Sequence, residues 1–228
     1  MTNTPAPKSS YSRRWTWDGR APLRGFFNAA LRLILRVISR FEVIGREHIP
    51  ATEGFIVMIN HIHALDPLVV IPSLGRSVTP MPKVEAFENL AIRFFIVNYG
   101  CIPVHRGDVD TQAIRLATDT LKSGGAVLIA PEGTRSKTGG LIAGQEGMAF
   151  IAARANALIL PVAIQGTPDI FPALKRLRRA RVTLTLGEPY RMDTGGGRAS
   201  RAMLQQLTDD AMRRMAALLP ESMRGVYA

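Results

Sequence analysis

"FIVMINHIHALDPLVV", residues 55–70, carries the reading of the whole chain. Phe55–Ile59 is an unbroken apolar run, the length of a strand and bounded by polar residues, as in a strand buried on both faces. Asn60, His61, His63 and Asp66 follow within a few positions. Pro67 comes next; its fixed φ and missing N–H suit the first turn of a helix, here expected to run to about Leu74. A buried strand, a loop of titratable residues and a helix stand in that order.

The same alternation continues downstream. "MPKVEA" (81–86), "CIPVH" (101–105), "AVLIA" (126–130), "LILPVAI" (158–164) and "RVTLTLG" (181–187) read as strands. "ENLAIRFFIVNYG" (88–100), stopped by Gly100, "DTQAIRLATDTLKSGG" (110–125), "GMAFIAARAN" (147–156) and the closing "ASRAMLQQLTDDAMRRMAALLP" (199–220) read as helices. Strands that are apolar on both faces and alternate with helices imply an α/β fold with a mostly parallel sheet flanked by helices. "TGGGR" (194–198) reads as a loop before the last helix.

Upstream lies "RGFFNAALRLILRVISRF", residues 24–41. At about 100° per residue, Arg24, Asn28, Arg32, Arg36, Ser39 and Arg40 share one arc, and the phenylalanines, most leucines and the isoleucines share the other. Leu35 is the main intruder on the polar side. The pattern is an N-terminal amphipathic helix with a cationic face. It fits a helix lying in an anionic membrane interface, or one packed on the core with its arginines in solvent. The expected organisation is a mobile basic tail over 1–23, a membrane-associating helix over 24–41 and an α/β domain over 42–228.

The chain has 228 residues, 46% of them hydrophobic, enough to fill a core. Its net charge of +11 favours an anionic partner: nucleic acid, a membrane or a phosphorylated substrate. A single cysteine, Cys101, excludes an internal disulfide and a multi-cysteine zinc site. No apolar run reaches the roughly 20 residues of a membrane span. The polar start of the chain lacks the apolar core of a secretory signal. The basic runs "KRLRR" and "RRM" come with no nucleic-acid recognition motif, so no nucleic-acid partner is expected.

In open α/β sheets, sites form outside the carboxyl ends of strands, and three groups of polar residues fall there. His61 and Asp66 suit acid–base work: the imidazole moves a proton near neutral pH, and a carboxylate on its other nitrogen fixes the tautomer. Together with His63 they also suggest a zinc site, but only His48 and His105 remain to complete one. Arg106, at the end of "GCIPVHRG", offers a planar fork for phosphate. "APEGTRSKTG" (130–139) puts a carboxylate, Glu132, and a guanidinium, Arg135, in one loop, suited to a hydroxyl and a phosphate of one polyol phosphate. The loop is not a Walker phosphate loop.

These motifs, in this order, resemble the glycerolipid acyltransferase family of the lysophosphatidic acid acyltransferase type. Asn60, His61 and Asp66 match its H-x-x-x-x-D motif, "GCIPVHRG" its second, "APEGTRS" its F-P-E-G-T-R-S with Ala130 for phenylalanine, and "LILPVAIQGT" its fourth. The resemblance covers about residues 42–190. It implies transfer of a fatty acyl group from acyl-CoA or acyl carrier protein to a lysophospholipid hydroxyl, with neither metal nor cofactor, at the cytoplasmic face of a membrane. His61 would be the general base and Asp66 its orienting partner. Arg106, Glu132, Gly133, Thr134 and Arg135 would bind the acceptor. Where relatives often carry a basic residue after the third motif, this chain has Gln145 and Glu146. His63 has no assigned role. The competing readings are a non-catalytic lipid binder of the same fold and a metal-dependent hydrolase using His61, His63 and Asp66.

Overall fold

The computed structural model describes residues 23–105, 109–195 and 199–228. Residues 1–22 of the tail expected over 1–23, the Arg106 of the second motif and the "GGR" of the late loop lie outside the described residues.

Six strands form one sheet: β1 (Ser39–Ile44), β2 (Phe55–Ile59), β3 (Val78–Pro80), β4 (Ala126–Ile129), β5 (Leu158–Gln165) and β6 (Ala180–Leu186). Their spatial order is β1-β6-β5-β2-β4-β3. All neighbours are parallel except β5 and β6, so the α/β, mostly parallel expectation holds. β2 is central, and every residue of it is buried. Its side chains alternate between two cores. Phe55, Val57 and Ile59 pack with α1 (Arg24–Ile38), α2 (Asp66–Val70), α3 (Leu90–Tyr99) and α6 (Ile170–Lys175). Ile56 and Met58 pack with α4 (Thr111–Lys122), α5 (Gly147–Ala155) and α7 (Arg201–Ala217). Burial on both faces is why this strand reads as a continuous apolar run rather than an alternating one.

Four expectations need correction. "MPKVEA" is not a strand: β3 precedes it, and Val84–Glu88 form a 3-10 turn. "CIPVH" makes only a single parallel bridge, Val104 to Lys83, along the outer edge beyond β3. The first helix ends at Ile38, and Ser39–Phe41 open β1, which pairs with β6. α2 is also shorter than expected, ending at Val70.

α1 sits on the domain in an unexpected rotation. Leu35, the intruder on its polar arc, is its one buried residue. Arg24 turns inward as an anchor: its Nε donates to Tyr99 O (2.9 Å), its guanidinium also reaches Gly100 O (3.2 Å) and Thr79 Oγ1 (3.3 Å), and its charge lies 5.1 Å from the Tyr99 ring centre. Burial pushes its pKa down, partly offset by its neighbours Tyr99 and Cys101. Asn28 accepts from the Tyr99 hydroxyl (2.9 Å). Phe26, Leu33, Ile34 and Val37 are left exposed on the outer face. No helix among the described residues is long and apolar enough to cross a membrane.

Candidate active site

Three neighbouring parallel strands deliver the site, one loop each: His61 beyond β2, Glu132 beyond β4 and Thr167 beyond β5. Asn60 makes the transition from β2. Its side-chain amide donates to Ile164 O (3.0 Å) and accepts from Ile164 N (2.7 Å), as a strand residue's backbone would. This fixes where β2 ends and the next residue, His61, emerges.

His61 Nδ1 lies 2.9 Å from Asp66 Oδ2. The His61 side chain is 16% exposed and that of Asp66 fully buried. Buried carboxylates require partners, and Asp66 has several. Its Oδ2 also accepts from Ile62 N (2.8 Å) and His63 N (2.7 Å), and its Oδ1 accepts from the Thr167 hydroxyl (2.6 Å). Because an ionised carboxylate only accepts, this network assigns the proton to Nδ1 and leaves Nε2 as the basic nitrogen.

The Pro-Glu-Gly loop clamps His61 through its backbone. Glu132 Oε1 accepts from His61 N (2.7 Å), Glu132 Oε2 accepts from Ile142 N (3.2 Å), and Ser136 N donates to His61 O (2.7 Å). Glu132 is buried, and burial raises its carboxyl pKa, although the N–H donors of His61 and Ile142 oppose the shift. Its contacts are thus internal to the site. Gly133 takes a left-handed φ of +66°, and a Cβ there would come 3.3 Å from Gln145 Cγ, so this turn suits glycine. Thr134 and Arg135 follow on the exposed side of the loop. Arg135 pairs with no carboxylate among the described residues and, with Lys137, is a cation that this loop presents. Of the pair departing from the basic pattern, Glu146 approaches Arg201 (3.4 Å) and Gln145 N donates to Pro131 O (2.8 Å).

Two features escaped sequence reasoning. One is Thr167. Gly166, at φ +83°, turns the chain so closely that an added Cβ would lie 2.0 Å from Arg181 O, and that turn brings the Thr167 hydroxyl to Asp66. The other is a second pair at the same spacing. His105 Nδ1 lies 2.9 Å from Asp110 Oδ2, beyond the β3 edge. The repeated spacing was its visible signal. His63 does not join a ligand set: its ring lies edge-on to Phe171 at 5.9 Å, and its Nδ1 accepts from Leu65 N (3.4 Å). Among the described residues no group of three or more His, Cys, Asp or Glu is arranged to hold a metal ion. Cys101 is buried, and burial raises its thiol pKa to about 12, leaving it an apolar core residue.

Fold and site together define an α/β protein with a histidine–aspartate pair in the loop beyond one central strand, held by residues from the ends of the two neighbouring parallel strands. The chain belongs to the acyltransferase family, whose model matches residues 40–165, and is an enzyme of that kind. It is 27% identical over 194 residues to a 1-acyl-sn-glycerol-3-phosphate acyltransferase of Bacillus subtilis, a match covering 83% of this chain and 93% of that one. It is 30% identical over 136 residues to a chloroplastic 1-acyl-sn-glycerol-3-phosphate acyltransferase of Arabidopsis thaliana, covering 58% of this chain and 38% of that longer protein. Its fold resembles the crystal structure of the 1-acyl-sn-glycerophosphate acyltransferase of Thermotoga maritima, with a TM-score of 0.63, 24% identity and coverage of 82% and 76% of the two chains.

Proposed function

We propose that the protein transfers a fatty acyl group from acyl-CoA or acyl carrier protein to the free hydroxyl of a 1-acylglycerol-3-phosphate, at a membrane surface on its cytoplasmic side. The observation that carries this reading is the His61–Asp66 pair, with Asp66 fully buried and saturated by donors. His61 Nε2 takes the acceptor hydroxyl proton, and Asp66 stabilises the imidazolium. The hydroxyl oxygen attacks the thioester carbonyl directly, the C–S bond breaks, and the proton leaves His61 with the thiolate. Glu132 is a positioning residue holding His61's backbone. Arg135, with Arg106, meets the acceptor phosphate, and Gly133 and Thr134 shape the loop beside it. No cofactor is required by this chemistry.

The exposed outer face of α1 supports action at a bilayer. Phe26, Leu33, Ile34 and Val37 stand beside Arg32 and Arg36, and Leu90, Ile92 and Phe94 of α3 extend the apolar surface, joined through Phe27, whose ring lies 6.3 Å from Phe94. Contiguous exposed apolar surface rimmed by cations is the pattern of an interfacial element. The test is an acceptor screen: purified protein, one radiolabelled acyl donor and a panel of lysophospholipids. Phosphatidic acid formed from 1-acylglycerol-3-phosphate is the expected product. Strong vesicle binding with no turnover on any donor and acceptor would contradict the reading.

A further inference from the structure

The turn between α6 and β6 places a large apolar side chain where the fold gains nothing from it. Leu177 N donates to Leu174 O (2.9 Å) and Arg178 N donates to Ala173 O (2.9 Å). That pair of bonds is the Schellman ending of a helix, with Leu177 in its left-handed position at φ +54°. Glycine is the usual occupant because a Cβ is strained there. The apolar contact that accompanies this motif is made by the following residue, here Arg178, and not by Leu177. Leu177 is 98% exposed. Neither backbone preference nor packing therefore accounts for a leucine at this position. An outlier of this kind points to use by something outside the fold.

Its surroundings indicate what that is. Lys175, Arg176 and Arg178 are exposed around it and pair with no carboxylate among the described residues. Residues 170–181 contain no acidic side chain. Phe171 and Leu174 are exposed on the same short helix. Arg179 folds back instead, its Nε donating to Ser39 O (3.1 Å) and its guanidinium to Arg36 O, which ties the turn to the end of α1. On the other side, Phe171 meets the ring of His63, in the loop that carries His61. The turn thus bridges the end of α1 and the histidine loop.

We propose that this turn is a second lipid contact, separate from α1, in which Leu177 enters the acyl region of an anionic bilayer while Lys175, Arg176 and Arg178 meet its phosphate headgroups. A bilayer offers an apolar interior beneath an anionic plane, which complements one projecting leucine ringed by cations. The contact holds the His61 loop beside the surface from which a lipid acceptor arrives. It rests on the membrane-surface reading above but not on the chemistry.

The experiment is co-sedimentation of the full chain with vesicles of equal parts phosphatidylglycerol and phosphatidylcholine, and with phosphatidylcholine alone. Leu177→Gly is expected to remain folded with a raised melting temperature, because glycine removes the strain. Its partitioning onto the anionic vesicles should fall roughly tenfold, since a buried leucine is worth about that factor. Replacing Lys175, Arg176 and Arg178 together by Gln should weaken binding and flatten its salt dependence. Leu177→Gly should keep its turnover of a water-soluble short-chain acceptor, which separates this contact from the chemistry. Equal partitioning of Leu177→Gly and the unaltered protein would overturn the proposal, as would failure of the unaltered protein to bind anionic vesicles. Unchanged vesicle binding with a raised KM for acyl carrier protein would also overturn it, and would make the turn a protein-docking site.

Discussion

Two histidine–aspartate pairs in this chain share one spacing and differ in what holds them. In both, Nδ1 of the histidine lies 2.9 Å from Oδ2 of an aspartate five residues on, and that oxygen also takes a backbone N–H from the same loop. The second oxygen separates them. Asp66 Oδ1 takes the Thr167 hydroxyl, 101 residues away in sequence. Asp110 Oδ1 takes Ala113 N (2.9 Å), the first turn of its own helix, and so acts as the N-cap of α4. Asp66 is fully buried and Asp110 is 12% exposed. His61 has both backbone groups fixed by the 132–136 turn. We propose proton transfer for the pair whose geometry is set from three strands, and capping for the pair set by local chain.

The comparison breaks first at Thr167. Thr167→Val removes the donor and leaves a buried carboxylate oxygen unpaired, which costs about 1–3 kcal/mol. We expect kcat to fall roughly tenfold as the pair loosens, and Thr167→Ser to restore both activity and denaturation midpoint. Unchanged kcat in Thr167→Val would show that the tertiary contact is not what separates the pairs.

Asp110 sharpens the other side with a smaller effect. Asp110→Ala should lower stability by about 1 kcal/mol, as loss of an N-cap does, with turnover nearly unchanged. Partial burial pushes the Asp110 carboxyl up, but the Ala113 and His105 N–H donors and the His105 ring outweigh it, so its pKa lies below the usual carboxylate range. A carboxyl depressed in the folded state stabilises above its unfolded pKa, and that stability is lost as pH falls through the folded value. The stability gap between the unaltered protein and Asp110→Ala, read by urea unfolding, should therefore be constant near neutrality and close in acid. A gap that widened on acidification would reverse the assignment.

The fold was largely legible where apolar runs and helix stops are distinct. β2, β4 and β5 are apolar on both faces, and α3 and α5 end at Gly100 and Asn156 in left-handed caps. β1 was hidden because Ser39–Phe41 continue the helical pattern of α1 and only pairing with β6 makes them a strand. β3 is three residues ending in proline, too short to show a period. In the site, His61 and Asp66 were legible because their contact is local. The clamp by Glu132 was not, because it acts on backbone N–H groups that carry no sequence signature, and Thr167 was not, because its partner lies across two strands. Spacing alone could not rank the two pairs, since it is the same in both.

The most direct test is to measure kcat for His61→Ala and His105→Ala side by side, with one acyl donor and 1-acylglycerol-3-phosphate. Removing a general base costs on the order of a hundredfold or more, so His61→Ala should lose at least that, while His105→Ala stays within about threefold of the unaltered enzyme. Near-full activity in His61→Ala, or equal losses in the two variants, would contradict the account.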